Sequence, residues 1–197
     1  MAKKNSFYLH LCFALIMAVI QCITMLIDKK IFAMLPFSHL NHEYWRIITG
    51  HLVHTNLQHC ILNLTGLGFI YYAFVTQINW KESFSILIIL MLGISLCLGL
   101  FDKMYYYGFS AVLHGYLAFL LIRYWSAAPI MHSGLLLTVI TKVVLENTGN
   151  LSSVETTSAL IDAPVATQSH AYGLIIGLLS GFLMSAIHQW RSKSTTS

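Results

Sequence analysis

Six apolar stretches constrain this chain more than any other feature of its sequence. They cover about residues 7–27, 57–76, 84–101, 105–122, 130–145 and 170–188. A helix needs roughly 20 apolar residues to cross the hydrocarbon core of a bilayer, with a range of about 17–25. Only 9% of the chain is charged, against roughly 25% in an ordinary soluble domain. The sequence therefore predicts an all-α polytopic membrane protein, in which residues 7–190 form a single six-helix bundle in the lipid bilayer.

Lysines and arginines between the stretches indicate how the bundle is oriented, because cytoplasmic loops carry an excess of both. If the N-terminus is cytoplasmic, the basic residues on the inner side are Lys3, Lys4, Lys81, Arg123, Arg191 and Lys193. Those on the outer side are fewer: Lys29, Lys30, Arg46 and Lys103. We therefore predict a cytoplasmic N-terminus (residues 1–6) and a cytoplasmic tail (residues 191–197). The net charge of +4 is small and dispersed, which argues against a nucleic-acid partner.

Two long connections lie on the outer side in this topology. Residues 28–56 are rich in aromatic side chains and are predicted to fold against the membrane surface. Residues 146–169 are polar and are predicted to form a flexible, exposed loop over the outer face.

Polar side chains fall at corresponding ends of three predicted spans. His59 and Asn63 occupy the first turns of the second span, Ser110 and His114 those of the fourth, and His170 opens the sixth. Because all three spans enter the membrane from the same side, we expect the five groups to lie at a similar shallow depth. Ionisable residues within spans are functional candidates by default. The sequence therefore predicts a site just below the outer surface.

Small residues predict which spans pack closely. The sixth span carries a stripe with a four-residue period: Gly173, Gly177 and Gly181. The fourth span carries a matching small face: Ala111, Gly115 and Ala118. Such stripes let helix backbones approach each other. We expect the approach to bring His170 towards Ser110, at the separation of about 2.6–3.2 Å that a nucleophile and its base require.

These residue types indicate acyl transfer. Ser110 is the candidate nucleophile, and a neutral His170 would take its proton and return it to the leaving amine. His59, the Asn63 amide and the Ser110 backbone N–H are candidate donors to the oxyanion. No third acid is apparent, because the nearby aspartates lie in outer loops: Asp28, Asp102 and Asp162. The sequence therefore predicts a Ser–His dyad, with His114 stacking on His170 or orienting it.

A cluster of histidines raises a metal alternative. It comprises His39, His42, His51, His54 and His59. The chain lacks a His-Glu-x-x-His motif, and Glu43 is the one acidic residue near the cluster, which argues against zinc catalysis. We therefore predict no metal and no other cofactor.

Lys142 and Glu146 lie four residues apart at the end of the fifth span. They are either a simple ion pair or the lining of a gate or substrate entrance, and the sequence favours neither. For the whole cluster, an inactive protein that binds transmembrane helices and a small transporter stay open as alternatives to a protease.

Four motifs together resemble the rhomboid family of intramembrane serine proteases, over roughly residues 40–188. They are the pair Trp45-Arg46, the His-rich segment HLVHTNLQHCILN that ends in His59-x-x-x-Asn63, GFSA from Gly108, and His170-x-x-Gly173-x-x-x-Gly177. The resemblance implies a six-helix fold, Ser110 as nucleophile, His170 as base, and His59 with Asn63 in the oxyanion role. Two positions depart from the family pattern: Ala111 replaces a glycine, and His114 stands where many rhomboids have tyrosine.

The segment GFSAVLHG and the compact size resemble the rhombosortase branch of that family. This likeness implies processing of secreted or surface proteins that end in a Gly-Gly motif, an apolar anchor helix and a basic end. It also implies the inner membrane of a Gram-negative bacterium, with the active site open to the periplasm. A Gly-Gly pair is a poor helix former, so its peptide bond can extend into a shallow site. Hydrolysis and transpeptidation are both compatible with the sequence.

Overall fold

The structure is a computed structural model that describes residues 2–102 and 104–194. Helix is its only regular secondary structure within those ranges, apart from one isolated bridge between Met34 and Tyr106. Lys103, which belongs to the predicted outer group of basic residues, lies outside the described residues, as do Met1 of the predicted N-terminus and residues 195–197 of the predicted tail. The prediction of an all-α polytopic bundle is confirmed.

The described residues contain eight α-helices. They are α1 (Ala2–Thr24), α2 (Arg46–Leu52), α3 (Leu57–Phe74), α4 (Trp80–Phe101), α5 (Ser110–Arg123), α6 (Pro129–Asn147), α7 (Ser153–Ile161) and α8 (Thr167–Ser194). By length and composition α1, α4, α6 and α8 can each cross a membrane, whereas α5 is a shorter apolar helix of 14 residues. The chain is thus a multi-pass membrane protein, and the six predicted stretches correspond to α1, α3, α4, α5, α6 and α8.

The predicted fourth span begins later than its apolar run. Residues 105–109 are not helical, and Tyr106 pairs with Met34 through two backbone hydrogen bonds of 3.0 and 3.1 Å. Gly108 has φ +111°, a backbone conformation that glycine adopts readily and other residues avoid. The helix therefore starts only after this turn, and Ser110 becomes its first residue.

The prediction that residues 146–169 form a flexible, exposed loop was wrong for its middle part, because Ser153–Ile161 forms α7. The residue after the helix, Asp162, has φ +53° and caps its C-terminus. Ile161 is buried and Val154 is half-buried, while Glu155 and Thr156 between them are exposed. This short amphipathic helix contacts α3 and lies over the end of the bundle at which α3, α5 and α8 begin, here called the site end.

Arg46 holds the segment before α2 in place. Its buried guanidinium donates to the carbonyls of Ala33 (3.0 Å) and Lys30 and pairs with Glu43 at 2.8 Å. The neighbouring Trp45 indole donates to the Ile31 carbonyl at 3.3 Å. Trp45 and Arg46 therefore both hydrogen-bond to backbone carbonyls of the loop that precedes α2.

Among the described helices, α5 and α8 pack against each other most extensively. A Cβ added to Gly173 would overlap the Ala111 carbonyl oxygen, and one added to Gly177 would overlap that of Gly115. Gly115 in turn has no room for a Cβ between Leu90 and Gly173. The small-residue stripes thus meet backbone to backbone, which fixes the spacing of the two helices at the site end.

Candidate active site

Ser110 is presented by a backbone turn built around Gly108. The Gly108 N–H donates to the Gly50 carbonyl at 3.0 Å, and the Tyr106 hydroxyl donates to the Gly108 carbonyl at 2.7 Å. Ser110, two residues after Gly108, is the first residue of α5. The first backbone N–H groups of a helix have no partner within it. Ser110 therefore combines a hydroxyl with nearby backbone donors.

His170 meets Ser110 across the α5–α8 interface. The distance from Ser110 Oγ to His170 Nε2 is 2.9 Å, and His170 is 5% exposed. This separation lies within hydrogen-bond range for a hydroxyl and an imidazole. The packing of Gly173 and Gly177 on α5 sets it, because both glycines follow His170 on the same helix.

His114 lies beside both residues. Its ring stacks on His170 with centroids 4.2 Å apart and an angle of 19° between the planes. Its Nδ1 is 2.8 Å from the Ser110 carbonyl oxygen, four residues back on α5. His114 thus fixes one face of the His170 ring.

Glu146 contacts the other nitrogen of His170, a contact that the sequence pattern did not predict. Glu146 Oε2 is 2.9 Å from His170 Nδ1, and Glu146 Oε1 is 2.5 Å from Lys142 Nζ. The statement that no third acid is apparent was therefore wrong. The missed contact joins the last turn of α6 to the first turn of α8, two segments 24 residues apart in the chain.

His59 and Asn63 lie beside the Gly108 turn. A Cβ on Gly108 would come within 2.6 Å of His59 Nε2 and 3.7 Å of Asn63 Nδ2. The Asn63 amide donates one proton to the His59 carbonyl at 3.0 Å, which leaves its second N–H. The absence of a side chain at Gly108 thus opens the space into which both nitrogens project.

The hydrogen bonds of Thr55 determine the tautomer of neutral His59. The Thr55 hydroxyl donates to the Ile161 carbonyl at 2.7 Å, so its oxygen accepts from His59 Nδ1 at 3.0 Å. A neutral imidazole has a single N–H, and His59 Nε2 therefore lacks a proton. For His59 Nε2 to carry the N–H and donate, the Thr55 hydroxyl would have to donate to His59 Nδ1 instead of to the Ile161 carbonyl. Asn63 needs no such change.

A pocket of about 680 Å³ opens at the site end. It is lined by Ser110, His170, His59 and Asn63 together with apolar side chains, and α7 contributes Val154 and Ile161 among others. A pocket of this size accommodates a short extended peptide or an organic ligand of drug size. The polar cluster is thus accessible from one cavity.

The five histidines of the metal alternative do not form a three-ligand group in the described part of the chain. His51 bonds Ser95 at 2.9 Å. His54 packs edge-on against His59 with ring centroids 5.0 Å apart, and burial lowers the pKa of His54 to about 3. Ligand atoms do converge in the group His114, Glu146 and His170. At this group, however, the Lys142 ammonium contacts Glu146 and His114 Nε2. The lysine thus already supplies the positive charge that a metal ion would bring.

Fold and cluster define a class of protein: a polytopic helical membrane protein in which a serine and a histidine meet inside a shared pocket. The family model described as Rhomboid domain matches residues 41–187 of the 197-residue chain, and the chain belongs to the rhomboid family. Members of this family are intramembrane serine proteases. None of the curated proteins compared with the chain matches it.

Proposed function

We propose that this protein is an intramembrane serine endopeptidase in which Ser110 is the nucleophile and His170 the general base. The observation that carries the proposal is the 2.9 Å separation of Ser110 Oγ and His170 Nε2 inside a pocket of a rhomboid-family bundle. An inactive helix-binding relative would have no need of this aligned pair. The polar cluster is concentrated at the site end, which does not favour a transport path through the bundle.

The chemistry is proton-balanced acyl transfer. Ser110 Oγ bonds to the scissile carbonyl carbon as its proton passes to His170 Nε2, and the carbonyl electron pair moves onto oxygen. Collapse of this intermediate breaks the C–N bond, and His170 returns the proton to the leaving amine. Water then attacks the acyl-enzyme with His170 again as base, which releases the acid and restores the Ser110 hydroxyl.

The Asn63 amide is proposed to donate to the developing oxyanion. For Asn63→Ala we expect kcat to fall on the order of 10²- to 10³-fold with KM nearly unchanged, because the donor acts mainly in the transition state. Steady-state cleavage of a transmembrane reporter in detergent micelles measures both constants. The control is Leu62→Ala, since Leu62 also belongs to α3 and lines the pocket. It should raise KM and preserve kcat, and an Asn63→Ala variant with wild-type kcat would exclude the role.

We further propose rhombosortase-like substrates, with a Gly-Gly pair at the outer end of a C-terminal anchor helix. This substrate class is supported by the apolar pocket beside Ser110 and by the need for an extended backbone at the nucleophile, since a helical peptide bond is shielded. The corresponding location is the inner membrane of a Gram-negative bacterium, with cytoplasmic termini and a site open to the periplasm.

A pair of reporters tests the substrate class. One carries Gly-Gly before its anchor helix and the other carries Leu-Leu, with the same apolar segment and basic end. We expect the Gly-Gly reporter to be cleaved with the higher kcat/KM, by about 10-fold or more, since two glycines weaken the helix by about 2 kcal/mol relative to good helix formers. Mass spectrometry of the released product identifies the bond. Equal cleavage of both reporters would reject Gly-Gly recognition and leave the protease assignment intact.

A further inference from the structure

We propose that Glu146 is a positioning residue for His170, so that the site works as a Ser110–His170–Glu146 triad held by Lys142. The inference rests on the proposed protease function and extends the predicted dyad. It depends on a closed ring of hydrogen bonds, four between side chains and one to the Ser110 backbone carbonyl, in which the donor and acceptor at every step can be assigned. The ring joins three helices at the site end, namely α5, α6 and α8.

The first half of the ring runs from Lys142 to Ser110. A lysine ammonium has only donors, so it donates to Glu146 Oε1 at 2.5 Å and to His114 Nε2 at 3.1 Å. Because His114 Nε2 accepts, the proton of the neutral ring is on Nδ1, which donates to the Ser110 carbonyl at 2.8 Å. Lys142 thus fixes the tautomer of the ring that stacks on His170.

The second half runs from Glu146 back to Ser110. An ionised carboxylate only accepts, so His170 Nδ1–H donates to Glu146 Oε2 at 2.9 Å. His170 Nε2 then carries a lone pair and accepts from the Ser110 hydroxyl at 2.9 Å. This is the tautomer that a general base requires. Glu146 therefore selects the productive form of His170 before any substrate binds.

Charge gives Glu146 a second effect. When His170 takes the serine proton it becomes a cation, stacked on His114 and close to the Lys142 ammonium. With Glu146 in place the imidazolium faces a carboxylate, and without it two cations would share one pocket. Opposite charges in contact favour the charged form of each group. The carboxylate therefore stabilises the protonated His170 that forms during the reaction.

Burial distinguishes this arrangement from a simple surface ion pair. The Glu146 side chain is 6% exposed, whereas that of Lys142 is 43% exposed. A Lys–Glu pair on a helix surface would keep both head groups in water, and with lysine first it is in the weaker order. Glu146 instead points inwards to His170 and holds Lys142 over the site.

The test compares four full-length proteins in detergent micelles: wild type, Glu146→Gln, Lys142→Met and the double variant Lys142→Met/Glu146→Gln. Ser110→Ala defines the background. The measurements are the rate of labelling by a serine-reactive fluorophosphonate and the kcat and KM of a reporter. We expect Glu146→Gln to lower the labelling rate and kcat on the order of 10²- to 10⁴-fold, with KM nearly unchanged. Lys142→Met, which retains the Glu146–His170 contact, should lose less.

The double variant separates positioning from charge neutralisation. It leaves no unpaired lysine, so it remains informative even where Glu146→Gln alone folds poorly. If Glu146 positions His170, the double variant stays as slow as Glu146→Gln; if Glu146 only neutralises Lys142, the double variant regains the Lys142→Met rate and the triad is rejected. Wild-type labelling by Glu146→Gln also rejects it. Absence of Ser110-dependent labelling in the wild type instead overturns the proposed function, and the triad with it.

Discussion

The Ser110→Ala variant is expected to lose both fluorophosphonate labelling and reporter cleavage. Removing the nucleophile of a serine protease lowers kcat on the order of 10⁶-fold, because the pocket and the oxyanion donors that remain supply only a residual acceleration of about 10³- to 10⁴-fold over water. His170→Ala should lose a comparable factor, since Ser110 Oγ then has no acceptor at 2.9 Å. The two residues act as one unit, so the double variant should be no slower than either single one. In-gel fluorescence and product release measure the two activities.

Ser153→Ala is the matched control for this experiment. Ser153 lines the same pocket from α7 and is exposed, so its hydroxyl is accessible to the same probe. It should label and cleave like the wild type. Cleavage that persists in Ser110→Ala would exclude Ser110 as the nucleophile. Labelling that persists there would show that the probe reacts elsewhere.

Much of the fold could be predicted because its determinants are local. The apolar stretches identify the bundle, and alternation of direction along the chain brings the starts of α3, α5 and α8 to one end. Ser110, His170, His59 and Asn63 all occupy those starts, so their convergence follows from counting spans. The glycine spacing also indicated which two helices would meet.

The role of Glu146 could not be predicted, because it depends on how α6 lies against α8. Sequence spacing shows only that Lys142 and Glu146 share a helix face, and this spacing suggested an ion pair or a gate. The position of Glu146 did contain a hint of this contact, because Glu146 lies in the last turn of α6, which ends close to where α8 begins. Whether an acid at that place meets a histidine depends on tertiary packing.

α7 was missed for a different reason. The segment Ser152–Ser158 is polar apart from Val154, as is typical of a loop, and the remaining apolar residues of α7 lie together at its end. Two local signals favoured a helix: Ser152 precedes Glu155 by three residues, a capping-box spacing, and Val154 and Ile161 are seven residues apart on one face. In the structure the Ser152 side chain makes no capping hydrogen bond, so burial of the apolar face is the stronger of the two reasons.

The Gly177→Val variant is expected to lose stability and activity together. Even a Cβ at this position would overlap the Gly115 carbonyl oxygen, so α8 must move away from α5. Overpacking of this kind costs about 1–3 kcal/mol. His170 lies two turns earlier on α8, and a displacement of about 1 Å between reacting groups costs on the order of 10²-fold in rate. Thermal unfolding in detergent and the fluorophosphonate labelling rate measure the two effects.

Gly134→Val is the matched control, because it makes the same substitution in α6 where a Cβ would meet nothing within 4 Å. Its midpoint of unfolding and labelling rate should stay at or near the wild-type values. If Gly177→Val labelled at the wild-type rate, the α5–α8 spacing would not set the Ser110–His170 distance. If both variants lost activity equally, the loss would reflect valine in a spanning helix in general. A loss confined to Gly177→Val would show that the missing side chains of the stripe keep the nucleophile and its base in contact.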